Sequence, residues 1–170
     1  MKFVIVFVTV LFAIVFLFLN TKNKNKESGI EQNSHIYSTW DTMEFDKCIS
    51  VWLITNFLDK DAEFVILPQG TEDMPGQSFD VPGSKWSRQH RKCTSDCIAE
   101  ELKINDPKIL ELVEMAHNIE LNFWQLDSFP KAKLQFEQVT KIIESSSDFN
   151  DCFKQTNRYF TQYLKGEKTQ

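Results

Sequence analysis

A chain of 170 residues with 42% hydrophobic and 25% charged side chains has the size and composition of one modest domain, which excludes a multidomain machine, a wholly disordered chain and a polytopic membrane protein. It carries 19 basic against 24 acidic side chains, and setting aside Lys2, Lys22, Lys24, Lys26 and Glu27 leaves 15 against 23, a net charge of −8 over residues 28–170. Phosphate backbones recruit net positive surfaces, so nucleic acid is not an expected partner.

The mean hydropathy of −0.33 hides one apolar block. Phe3 to Leu19 contains a single polar residue, Thr9, and five of the fifteen phenylalanines. At about 1.5 Å per residue such a helix spans roughly 25 Å, a little under the hydrocarbon thickness and longer than the apolar part of a usual signal peptide. Residues 1–19 are therefore a membrane anchor or an export signal. The block ends Phe18-Leu19-Asn20-Thr21, with no small-residue cleavage site and no neighbouring cysteine for lipid attachment, which favours an uncleaved anchor. Lysines flank both ends, so positive charge does not set the orientation. Residues 20–40 are polar and without periodicity and read as a spacer, which leaves 41–166 as the expected folded domain.

Ile49, Trp52, Leu53 and Phe57 recur at helical spacing between Asp46 and Leu58, with Asp46 placed to cap that helix. Ala62 to Leu67 is short, β-branched and closed by Pro68, the pattern of a strand. Pro75-Gly76 and Pro82-Gly83 bracket a second short strand near Ser78 to Val81. From there the pattern is helical. Helices are expected from Thr94 to Lys103, from Asp106-Pro107, from Pro130, and from Phe149 to the end after the polar break Ser145 to Asp148. The expected fold is α+β and predominantly helical, with a two- or three-stranded sheet and a core of Trp52, Leu53, Phe57, Phe64, Ile66, Val113 and Phe136.

Lys85, Arg88, Arg91 and Lys92 place four cations within eight residues, with His90 among them and no acid. Running into a helix at Thr94, such a cluster would combine cationic side chains with free backbone N–H groups, the requirement for holding an oxyanion. The alternative is a solvated loop whose charges balance acidic neighbours. Glu114, His117 and Glu120 stand at three-residue steps on one helix, which makes His117 and Glu120 candidate ligands of a metal ion. A di-iron centre would need a second Glu-x-x-His, and the chain has none. Cys48, Cys93, Cys97 and Cys152 allow three pairings in an oxidising compartment, and the Cys93/Cys97 spacing is not that of a zinc ribbon or a thioredoxin-like site. Dinucleotide, P-loop, zincin and serine-hydrolase motifs do not occur.

The run Asp46-Lys47-Cys48-Ile49-Ser50-Val51-Trp52-Leu53-Ile54, then Ala62-Glu63-Phe64, Phe79-Asp80-Val81-Pro82-Gly83, Cys93-Thr94, Asp106-Pro107 and His117 resembles the chromate-resistance family, the C-terminal domain of chromate-resistance regulators also described as chromate resistance exported proteins. The resemblance covers about residues 46–120. It implies chromate or another oxyanion as ligand, and export to the bacterial periplasm or cell envelope. The departures fall on polar positions: Lys47 stands for an Arg, Ser50 for a Cys, Arg88 for a His and Glu120 for an Asp.

Together these readings describe a membrane-anchored or exported module that binds or senses an oxyanion or metal. Lys47, Arg88, His90, Arg91 and Cys93 are the candidate binding residues, with His117 and Glu120 for a metal. Binding is expected ahead of catalysis. The alternatives are a thiol-dependent enzyme using Cys93 and His117, and an envelope interaction domain with no small-molecule site.

Overall fold

The computed structural model describes residues 35–166, and its first element, strand β1 (Ile36–Trp40), falls inside the stretch expected to be spacer. The boundary near Trp40 is thus too late: Ile-Tyr-Ser-Thr-Trp is a β-branched and aromatic run that suits a buried strand, and Tyr37, Ser38 and Thr39 are buried. The apolar block and residues 20–34 lie outside the described residues. Among those described, no helix is long and apolar enough to cross a membrane.

Helix α1 (Phe45–Leu53) connects β1 to β2 (Glu63–Leu67), which pairs with it in parallel in the register Tyr37 to Phe64 and Thr39 to Ile66. A parallel pair needs such a crossover. The short β3 (Gln77–Ser78) joins the other side of β1, giving the order β2-β1-β3. Gly76 makes that junction possible. It takes a positive φ of 66° and lies so close to the Ile36 carbonyl that any Cβ would collide with it.

Four further helices follow: α2 (Thr94–Glu101), α3 (Pro107–Leu121), α4 (Pro130–Ser145) and α5 (Phe149–Lys165), with a 3-10 segment over Phe123–Ser128. Their starts obey local rules. Asp106 accepts from Lys108 N at 2.8 Å with Pro107 in the first turn, and Asp148 accepts from Asp151 N at 2.9 Å. Gly166, at φ 71°, closes α5. The result is the mainly helical α+β class expected.

Helix α1 is the hub. It touches α2, α3, α4 and α5, and all nine of its residues are buried. A helix enclosed on every side should be apolar all round, yet this one carries Asp46, Lys47 and Ser50. Those polar side chains must find partners inside the protein. Beyond Leu53 the backbone widens into a π-helical turn, Ile54–Leu58, with Asp59 N donating to Ile54 O at 2.8 Å. The extra residue in this turn shifts the register. Ile54 becomes fully buried, whereas Phe57, expected in the core, is 42% exposed and meets Trp52 only edge-on, with ring centroids 5.2 Å apart. Trp52, Leu53 and Val113 are buried as expected, and Phe64, Ile66 and Phe136 pack partly buried against the same cluster.

Candidate functional site

The loop that carries the basic cluster is pinned to the core by Trp86. Its buried ring stacks on Tyr37, and its indole N–H donates to Glu101 at 2.9 Å. From this anchor the cations fan out over α2 and α3. Lys85 pairs with Glu101 at 2.5 Å, Lys92 pairs with Glu100 at 2.6 Å, and Arg88 reaches Glu120 on α3 through its backbone carbonyl and, at 3.5 Å, its carboxylate. Acidic neighbours thus balance three of the four cations. Arg91 and His90 occupy the exposed turn closed by Gln89 N to Lys92 O at 2.8 Å, and neither joins an ion pair among the described residues.

The start of α2 does not offer the free N–H groups that the sequence suggests. Asp46 fills it: its two carboxylate oxygens accept from Thr94 N at 2.7 Å and Ser95 N at 3.0 Å. Asp46 therefore caps a helix 48 residues away instead of its own, because α1 begins at Phe45 and buries Asp46 facing α2. Burial pushes this carboxyl up, and the N–H bonds pull against that rise. Lys47, next along α1, is 1% exposed. Its Nζ donates to Trp40 O at 2.7 Å and to Thr42 O, and stands 3.4 Å from the Asp80 carboxylate. Asp80 adopts φ 55°, which suits Asp better than most residues, and also accepts from Thr94 Oγ1 at 2.7 Å. Ser50 Oγ, on the same helix, is buried without a hydrogen-bond partner among the described residues.

Glu120 faces this carboxylate group. Burial, and the nearby Glu44 and Asp46 charges, push its carboxyl up to about 7 against the pull of Arg88. Glu44 is raised for the same reasons, burial first and Asp80 next.

Cys93 and His117 meet through Asp96, a residue the sequence reading passed over. Asp96 Oδ2 accepts from Cys93 N at 2.9 Å, from Cys93 Sγ at 3.2 Å and from His117 at 2.8 Å through Nδ1. Asp96 stands at the third position of α2 and reaches back to the residue before the helix, the reciprocal half of a capping box. That spacing could have flagged it. Cys93 is fully buried, and burial, with Asp46 and Asp96 beside it, pushes its thiol well up. That is the reverse of what an activated thiolate needs. All four cysteines are free thiols.

His117, Asp96 and Lys92 open onto a cleft of about 480 Å³ between the basic loop, α2 and α3. Arg91 and Lys103 line it as well, over a floor that includes Ile104, Leu110 and Val113. Lys103 was also missed. It sits at φ 53° just past α2, with Lys103 N donating to Glu100 O and Ile104 N to Ala99 O, each at 3.0 Å. This is a Schellman closure, where glycine is the usual residue. The expected site residues are thus divided by the structure. Arg91 lines the cleft beside His117, Cys93 lies behind it through Asp96, Arg88 and Glu120 pair one turn farther along α3, His90 is exposed in the Gln89–Lys92 turn, and Lys47 is inside the core. No group of three or more His, Cys, Asp and Glu side chains able to hold a metal ion occurs among the described residues. His117 and Glu120 are instead engaged by Asp96 and Arg88.

No curated protein and no solved structure matches the chain. A family model described as "ChrB, C-terminal domain" matches residues 37–165, which includes all but the first residue of β1 at one end and all of α5 at the other. That span exceeds three quarters of the 170 residues, and the chain belongs to this chromate-resistance family.

Proposed function

We propose that the domain is a chromate-resistance-type binding or sensing module that holds a small oxyanion in the cleft beside His117, with residues 3–19 as its membrane anchor or export signal. One observation carries the cleft assignment. Arg91, Lys92, Lys103 and His117 come from three separate parts of the chain and line one cleft of a domain whose net charge over residues 28–170 is −8. Lys103 strengthens the reading, since a left-handed backbone costs a non-glycine residue about 1–2 kcal/mol that glycine would not incur sterically. Binding is favoured over thiol chemistry because the Cys93 thiol is buried among carboxylates.

The test is titration of the intact chain with chromate, sulfate and phosphate at low and high salt. Charge-assisted hydrogen bonds contribute roughly 1.5–3 kcal/mol each and overlap when they share one anion. Arg91→Ala with Lys103→Gly should therefore weaken binding at least tenfold, with no loss of stability from the glycine, and Arg88→Ala should leave affinity within about threefold. Equal affinities in parent and double variant, or no anion binding by the parent, would overturn the assignment in favour of an interaction domain. The role of residues 3–19 is read separately. A carbonate-resistant membrane fraction supports an anchor, and a mature product beginning between residues 20 and 30 supports a cleaved signal.

A further inference from the structure

The cleft is larger and more apolar than an inorganic oxyanion requires. Its volume of about 480 Å³ lies in the range of small-molecule sites, roughly 300–1,000 Å³. A tetrahedral ion needs little more room than one or two waters at about 30 Å³ each. The remaining space is walled by Ile104, Leu110 and Val113. Leu110 is notable because it is one of the large hydrophobic side chains left exposed, at 41%, although it lies on a helix with a well-filled buried stripe. Charge restricts the ligand further. Arg91, Lys92 and Lys103 stand against two carboxylates, Asp96 and Glu100, so these five side chains together carry one formal positive charge. A singly charged head group balances it.

We infer that the preferred occupant of this cleft is an organic monocarboxylate with a compact apolar body: its carboxylate lies on the Arg91, Lys92 and Lys103 rim, and its apolar body lies against Ile104, Leu110 and Val113. The inference rests on the cleft being the anion site, as proposed above, and extends it to the class of ligand. Arg91, which joins no ion pair among the described residues, is the natural bidentate partner for a carboxylate. Lys92, already paired with Glu100, contributes charge more than a vacant donor. The apolar half supplies the discrimination, because a compact ring or branched alkyl group leaving water gains affinity in proportion to the area covered.

Benzoate, acetate and sulfate titrated against the intact chain by calorimetry separate the possibilities. Benzoate and acetate share a head group, so their ratio reads the apolar wall alone. Benzoate should bind about ten to fiftyfold more tightly than acetate, and more tightly than sulfate. Leu110→Asn, at an exposed position where folding is not at stake, should bring benzoate to within about threefold of acetate. Arg91→Ala with Lys103→Gly should weaken all three. If benzoate and acetate bind alike, or if Leu110→Asn leaves their ratio intact, the organic-carboxylate inference fails while the oxyanion cleft stands. If the double variant leaves every affinity unchanged, both readings fail together.

Discussion

Replacing Lys47 with methionine keeps the length and most of the volume of the side chain while removing its charge. In the parent, Nζ satisfies the Trp40 and Thr42 carbonyls and lies 3.4 Å from the Asp80 carboxylate, whose side chain is 9% exposed. The Met variant would strand that carboxylate. Removing one partner of a buried ion pair typically costs about 3–5 kcal/mol, and the Trp40 and Thr42 carbonyls, which are partly buried or open to water, add at most about 1 kcal/mol each. The three share one donor and do not add, so about 4 kcal/mol is expected for Lys47→Met. That is a large part of the roughly 5–15 kcal/mol that holds a domain folded. Urea unfolding followed by tryptophan fluorescence can measure it, since Trp52 and Trp86 are buried and shift on exposure. The same reasoning predicts that adding Asp80→Asn to Lys47→Met recovers about 1–2 kcal/mol, because the charge left alone is then gone. A Lys47→Met protein within about 1 kcal/mol of the parent, or a double variant less stable than the single, would refute the account of Lys47 as a buried structural cation.

Glu120 gives a pH signature. Its carboxyl is raised to about 7 in the fold from a usual 4.5, so the folded state binds more protons than the unfolded state across that interval, and stability falls as pH climbs through it. Glu120→Gln should flatten this slope and gain about 1–2 kcal/mol at pH 8, after discounting for partial exposure; an unchanged pH profile counts against the carboxylate cluster. Thiol labelling should divide the cysteines: Cys97 is half-buried while Cys48, Cys93 and Cys152 are buried, so a maleimide should modify Cys97 first, and comparable rates at Cys93 would mean that the start of α2 opens readily. Trp52→Ala should cost about 3–5 kcal/mol and Phe57→Ala under about 1 kcal/mol; equal losses would place Phe57 in the core after all.

What could be read from the sequence is what local chemistry dictates. Asp106-Pro107, Pro130 and the polar break before Phe149 announce helix starts through caps and prolines within a few residues of each other, and all three were legible. Phe57 was misplaced because helical spacing assumes a constant pitch, and nothing in Ile-Thr-Asn-Phe-Leu announces a π-helical turn. β1 was missed because Ser38 and Thr39 read as polar spacer although both are buried. The candidate site divides along the same line. Arg91 and His117 were visible as residue types out of keeping with their surroundings. The fate of Lys47 and the helix-capping role of Asp46 depend on Trp40, Asp80, Thr94 and Ser95, partners that no periodicity specifies. Lys103 was hidden because its importance lies in a backbone angle.

The position of β1 also decides how the fold bears force. It is the central strand, paired in parallel along five residues with β2 and along two with β3, and it begins at the second described residue. Tension arriving from the N-terminal side therefore enters at the middle of the sheet and runs along the strand axis. Parallel ladders carry slanted bonds spaced evenly along the pair, so such a pull is resisted in shear by both flanks at once instead of peeling one bond after another. His35, whose ring reaches Asp59 at 2.9 Å next to the β2 flank, sits at the loaded end. A pull on that end therefore loads both ladders of the central strand together.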